Sequence, residues 1–281
     1  MPSGERPALD ADVLEHYTSS TRPEDERLRR GPGRIELLRT QELIRRHLGE
    51  RAACEVLDVG GASGVHAAWL ADDGHHVHVV DPVPLHVQQA SARGNRATAP
   101  FTASLGDARQ LEQADESVDV VLLLGPLYHL VERDDRVRAL TEAHRVVRPG
   151  GVVVAAAISR FASLLDGVAH GWLDPEFSAV VDADLASGVH RNPTGREEWF
   201  TTAYFHRPEE LVEEAHAAGL HVDGVFGIEG PAYWAIRREA GRLGDVSDED
   251  LRLVLAAARA VEEEPSLIGA SPHLLLAARR R

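Results

Sequence analysis

The chain contains no lysine: all 30 of its basic residues are arginine. That absence excludes a Schiff-base lysine, pyridoxal-phosphate chemistry, a phosphate-loop lysine and Ser–Lys catalysis together. Cys54 is the only cysteine, so neither an internal disulfide nor a thiolate metal cluster can form. Apolar runs such as Val120–Leu124 are far too short to span a bilayer. Residues Met1–Leu9 are polar and lack the apolar stretch of a secretory leader, so a cytoplasmic, reducing compartment is expected, with no membrane partner. Excess positive charge is missing too, the net charge being −15. Affinity for nucleic acid comes mainly from basic side chains, so no nucleic-acid partner is expected. The local basic run Arg27–Arg34 reads as a solvated helix face. Internal repeats and low-complexity tracts are absent, and nothing in the residues bears on oligomeric state.

What is present is enough apolar material, 43% of 281 residues, for one large α/β domain with an appended cap. Strand patterns fall at 55–59, 76–80, 100–104, 118–124 and 151–157, with helices between them at 64–71, 84–93 and 133–147. A helix at 208–218 leads into a strand at 221–227, and a last strand lies at 273–278. Repeated βα units with nearly all-apolar strands predict a doubly wound, mostly parallel seven-stranded sheet covered on both faces. Arg148-Pro149-Gly150-Gly151 predicts a tight turn before the fifth strand. Ahead of the sheet, short helix 10–17 and amphipathic helix 34–48 make residues 1–50 a helical lid. Residues 159–206 interrupt the rhythm and hold Phe161, Trp172, Phe177, Trp199, Phe200 and Tyr204. A loop of that length is functional or itself folded, and it reads as a mostly helical cap insertion.

Residues 55–64, Glu-Val-Leu-Asp-Val-Gly-Gly-Ala-Ser-Gly, carry the chemistry. A strand ends on an acid, passes into a glycine-rich turn and opens a helix; the second strand then ends on Asp81. Bare backbone lets a ligand approach closely, a helix N-terminus offers free N–H groups to an anion, and a carboxylate accepts ribose hydroxyls. Together these make a site for an adenine nucleoside with a polar tail. A nicotinamide fingerprint cannot be placed here, because Ala62 and Val65 fall where its second and third glycines would stand.

Four motifs in order, Asp58–Gly64, Asp81, Gly106-Asp107-Ala108 and Arg148–Gly151, resemble a class I S-adenosylmethionine-dependent methyltransferase of the bacterial small-molecule type, with its Rossmann-like fold. The resemblance covers residues 34 to 158 well. It implies S-adenosyl-L-methionine as cofactor, with Gly60, Gly61, Ala62 and Gly64 forming the loop beneath the methionine part and ribose. Asp58 would steer loop amides and the cofactor's amino group. Asp81 would accept both ribose hydroxyls, with Pro82 beside it; Asp107 and the Ala108 amide would take the adenine; Leu124 and Gly125 would pass near the sulfonium. Ala62 stands where the family usually has glycine, a substitution expected to keep φ negative. The lid would bring Tyr17 and Arg34 to the methionine carboxylate, Arg34 as a two-bond donor.

The fourth strand runs into Gly125-Pro126-Leu127-Tyr128-His129-Leu130. Methyltransferases acting on amide or adenine nitrogen carry Asn or Asp followed by two prolines and an aromatic there, and this chain does not. Tyr128 and His129 are the candidate catalytic residues, His129 as a general base near neutral pH. Tyr128, His170, Trp172, Trp199, Tyr204 and His206 are the candidate substrate contacts, with Glu229 as a further site residue. Displacement at an activated methyl carbon needs no metal, and His75, His76 and His78 read as ordinary strand histidines. The expected function is methyl transfer to a small molecule, the accepting atom (nitrogen, oxygen or carbon) being unreadable. The alternatives are a methyltransferase acting on a peptide or RNA, and a protein that binds the cofactor without catalysis.

Overall fold

A computed structural model describes residues 24–51, 53–243 and 246–281. The expected helix 10–17 and Tyr17 lie outside the described residues. The strands are β1 (Glu55–Val59), β2 (His76–Asp81), β3 (Thr102–Leu105), β4 (Val118–Leu123), β5 (Val147–Ser159), β6 (Val189–His190), β7 (Ala203–His206), β8 (His221–Gly227) and β9 (His273–Arg279). Across the sheet the order begins β3-β2-β1-β4-β5, all parallel. Beyond β5 comes β9, antiparallel to it, and then β8, antiparallel to β9. The seven expected strands are therefore all present in a sheet with a mostly parallel centre.

Alternation along the strands explains why nearly every strand residue is apolar. Leu57, Val59, Val121, Leu123 and Val153 pack on one face with Leu140, Ala143, Leu211 and Ala215, which belong to helices Arg133–Val146 and Pro208–Ala217. Val56, Val120, Leu122, Val152 and Val154 pack on the other with Leu43, Ala67, Leu70 and Ala90, from helices Gly33–Leu48, Val65–Asp72 and Pro84–Gly94. The first of these helices is also pinned through its buried Arg39, whose guanidinium reaches Glu262 and the carbonyl of Ile228.

Two expectations change. Residues 159–206, expected as a mostly helical cap, hold helices Ala162–His170 and Pro175–Ser187 and then add an unforeseen hairpin, β6–β7. Strand β7 then joins the sheet, pairing parallel with the end of β5 at Ile158↔Phe205 and Ser159↔His206. The segment Ala-Tyr-Phe-His alternates its side chains between two environments, as a strand requires. Arg148–Gly151, read as a turn ahead of the fifth strand, is instead a bulge inside β5. The register jumps from Val118↔Val147 to Val120↔Val152, with Gly150 at φ +75°. Among the described residues no helix is long and apolar enough to cross a membrane.

Candidate active site

Two connected voids open beyond the carboxyl ends of the central strands, where open α/β sheets bind ligands. The first is a crevice between the ends of β1, β2 and β4. It is lined by Asp58, Gly60, Gly61 and Ala62 from the first loop, by Asp81 and Pro82, by Asp107 and Ala108, and by Leu124, Gly125, Tyr128 and His129. The second is a cavity of about 800 Å3 walled by Trp172, Phe177, Trp199, Phe200, Tyr233 and Trp234. Glu36, His66, Leu124 and Tyr128 line both.

The crevice is organised by its carboxylates. Asp81 holds the glycine loop from below: its Oδ2 accepts the Ala62 amide at 2.9 Å, and its Oδ1 accepts the Val83 amide at 2.9 Å and His86 Nδ1 at 3.0 Å. One acceptor position on Oδ2 remains, fewer than the two ribose bonds expected of it. Asp107 is clasped by Arg109, whose amide and Nε reach Oδ1 and whose Nη2 reaches Oδ2, between 2.8 and 3.0 Å. That too leaves one position on Oδ2.

Asp58 is different. It is fully buried, and among the described residues neither of its oxygens has a well-formed hydrogen bond; the Ala67 amide, near enough to lower its pKa, is its one polar neighbour of opposite sign. Burial, with the neighbouring Asp81 charge second, pushes its carboxyl up to about 7. A buried carboxylate left in this state is costly, and it marks a place made for a ligand's positive charge. Gly61 keeps that place open, because a Cβ there would stand 2.5 Å from Asp58 Oδ2.

Ala62 does not keep a negative φ: it sits at +46°, in the left-handed region. A non-glycine residue there costs on the order of 1 kcal/mol, and the bond from its amide to Asp81 helps hold it. Gly64 does not line the crevice. Its bare Cα faces Phe101, 2.8 Å from where a Cβ would stand, so this glycine serves packing between loop and core. Arg34 is also set apart from both voids, its Nη2 paired at 3.2 Å with the exposed Asp248.

His129 and Tyr128 come together, ring centroids 4.7 Å apart, with Phe200 packed against both. Tyr128 donates to the Leu124 carbonyl at 3.1 Å and faces both voids, whereas His129 faces the crevice alone. Trp172 and Trp199 line the cavity as expected. His170 does not: it stacks on the outer side of Trp172 at 4.3 Å, and its hydrogen bond to Asp166 raises its pKa. Tyr204 and His206 face away as well. Tyr204 lies under the Arg136 guanidinium at 3.5 Å, and His206 is buried against Glu214, with burial lowering its pKa. Strand alternation is the reason, since Phe205 between them lines the cavity.

Several cavity residues carried no signal in the sequence, namely Glu36, His66, Arg237 and His273, whereas Tyr233 and Trp234 stand in a stretch, 230–264, whose aromatics read as an extension of the cap. Glu229, the remaining candidate, is fully buried directly behind His273. Capping logic at helix Val65–Asp72 draws attention to His66 in the first turn, where it accepts from Trp69 Nε1 at 3.2 Å. That bond places any single ring proton on Nε2.

Comparison with known proteins decides the family. A model described as "Methyltransferase domain" matches residues 56–151. A ubiquinone biosynthesis O-methyltransferase of Rhizobium rhizogenes is 31% identical over 206 residues, which is 73% of each chain. The chain belongs to the class I S-adenosylmethionine-dependent methyltransferases. A second enzyme of that name, from a Methylobacterium species, is 28% identical over 183 residues, 63% of this chain; the match spans 64% of that protein, just under two thirds of its length. Among solved structures, an S-adenosylmethionine-dependent methyltransferase from Mesorhizobium loti aligns with a TM-score of 0.58 at 18% identity, over 88% of this methyltransferase and 100% of the other chain. At that identity the likeness speaks for the fold.

Proposed function

We propose that this methyltransferase moves a methyl group from S-adenosylmethionine, bound in the crevice, to a small apolar or aromatic acceptor held in the larger cavity. The observation that carries this reading is the buried Asp58 carboxylate, which has no cationic partner among the described residues and lines a crevice that shares four side chains with an aromatic-walled cavity. A cavity of about 800 Å3 falls within the usual span of small-molecule sites, about 300–1,000 Å3. The protein's net charge of −15 disfavours an RNA acceptor.

When bound, the cofactor supplies an activated methyl carbon, and the chain's work is to hold, orient and exclude water. Asp58 takes the amino group's positive charge. Asp81 takes a ribose hydroxyl at its one vacant acceptor position, while the backbone of residues 60–62 lies along the ligand. Asp107 Oδ2 and the Ala108 amide address the adenine. Leu124 and Tyr128, at the seam between the voids, frame the passage, and Phe200 closes over Tyr128 and His129 to keep water out. His129 is placed to receive a proton only from an acceptor that reaches the crevice side of Tyr128.

The direct test follows S-adenosylhomocysteine release from the full chain supplied with S-adenosylmethionine and panels of aromatic small molecules, RNA or peptides. Release is expected with a subset of the small molecules. Turnover confined to RNA or peptide would overturn the acceptor class, and tight cofactor binding with no turnover across broad panels would favour a binding protein.

A further inference from the structure

The far end of the larger cavity is polar: each of its carboxylates is already paired with a cationic side chain, while its donors keep N–H and O–H groups turned to the cavity. Glu36, from the helix Gly33–Leu48, is gripped by Arg27 through two bonds of 2.6 and 2.9 Å. Burial acts to raise the Glu36 pKa, but Arg27 and His273 outweigh it and hold the carboxyl at about 2. Glu229 accepts from Ser271 Oγ at 2.9 Å, from the His273 amide at 3.2 Å and from His273 Nδ1 at 2.5 Å. Asp166 is shared between His170 and Arg237.

Against these charge-paired carboxylates stand three donors. His273 turns Nδ1 to Glu229, so the edge it presents to the cavity is Nε2. Burial pulls its pKa down, yet the Glu36 and Glu229 charges more than reverse this and raise it to about 9, so that at neutral pH Nε2 carries a proton. Tyr233 lines the cavity with a hydroxyl that burial keeps protonated. Arg237 commits only its Nε, at 3.3 Å, to Asp166, which leaves both terminal nitrogens.

We propose that His273 Nε2, the Tyr233 hydroxyl and the Arg237 guanidinium form an anchoring subsite for a negatively charged oxygen, so that the acceptor is an aromatic or polycyclic compound bearing a carboxylate, sulfonate or phenolate. The inference rests on reading this cavity as the acceptor's. Glu229 is a positioning residue, because it orients and charges His273 from behind without meeting the acceptor, and Glu36 adds to that charge from the cavity wall. Glu36, Glu229 and His273 do place ligand atoms within 4.8 Å of one another, a spacing that a cation could bridge. The two-bond Arg27 clasp on Glu36 opposes that use, since a guanidinium already occupies the carboxylate and repels a second positive charge.

The test uses the full chain saturated with S-adenosylhomocysteine and two fluorescent probes of nearly the same ring system. 8-Anilinonaphthalene-1-sulfonate carries an anion, and N-phenyl-1-naphthylamine does not. The anionic probe is expected to bind about tenfold or more tightly than the neutral one, hydrogen bonds to charged groups being the stronger kind. Tyr233→Phe and Arg237→Gln should each remove several-fold of the anionic probe's affinity and leave the neutral probe alone. His273→Phe is paired with Glu229→Gln so that no buried charge is stranded; if that double variant does not fold, the two single variants decide. Equal affinity of the two probes in the wild type would overturn the subsite. So would Glu229-dependent stabilisation by added zinc or manganese, which would make the cluster a cation site. S-adenosylmethionine affinity, followed by calorimetry on the same proteins, separates the failures: its loss in the wild type would sink the methyl-transfer reading, whereas its retention with equal probe affinities sinks only the anchor.

Discussion

The crevice and the cavity lie side by side but are built in opposite ways. The crevice is made largely of backbone and short side chains at strand ends, where Asp58, Asp81 and Asp107 stand in three different hydrogen-bonding environments. The cavity is made of long side chains drawn from segments as far apart as Arg27 and His273, and its charges are arranged in compensating pairs. The first is a rigid receptor for one ligand. The second is a set of walls whose identity can change while the sheet stays the same, which is how one fold serves many acceptors.

The strongest attack on this contrast is Asp81→Ala. It removes the acceptor for the Ala62 and Val83 amides and for His86, so the loop loses its support together with the ribose contact proposed above. Calorimetry should show cofactor affinity falling at least about a hundredfold, the scale of losing several charge-assisted bonds; unchanged affinity would show that the crevice is not held from below.

Asp58→Asn comes next, and its two effects have opposite signs. The folded pKa of about 7 lies above the unfolded carboxylate value of about 3.9. The stability Asp58 allows is therefore full below about pH 4 and is lost as pH rises towards 7. At pH 8 the amide variant should melt higher than the wild type by a few degrees while binding cofactor about ten- to a hundredfold more weakly, the scale of a hydrogen bond to a charged group. Wild-type affinity should fall as pH drops below 7, because Asp58 must then release a proton to meet the ammonium. A calorimetric titration independent of pH would remove Asp58 from the site.

Smaller effects sharpen the same boundary. Ala62→Gly relieves the positive φ at the loop and should stabilise the chain by at most about 1 kcal/mol in chemical denaturation, with cofactor affinity retained. A destabilised variant would mean that the methyl group packs usefully. Arg34→Ala should change neither cofactor affinity nor melting temperature measurably, because its exposed pairing with Asp248 is of the weak surface kind. A clear loss of affinity would return Arg34 to the methionine carboxylate.

The sequence made the crevice legible and the cavity not, and the reason is locality. Asp58, Asp81 and Asp107 each end or follow a strand whose apolar run announces it, so their positions at one sheet edge follow from the βα repeat. Glu36 and His273 meet only because β9 enters antiparallel beside β5 and a preceding helix lies across that edge. No spacing along the chain encodes that. Tyr204 and His206 were assigned to the cavity because the segment containing them was read as helical. Seen as a strand, their two-residue spacing puts them on the face opposite Phe205. Gly64 was legible as a loop glycine but not as packing, since Phe101 is brought against it only by the folded core.

Glu36, His66, Leu124 and Tyr128 each belong to both chambers, which makes the two binding events thermodynamically inseparable. Whatever factor cofactor occupancy imposes on acceptor affinity, the acceptor must return to the cofactor in equal measure. The balance is the same whichever ligand arrives first, because linkage fixes the free energy of the doubly occupied state and not the path to it.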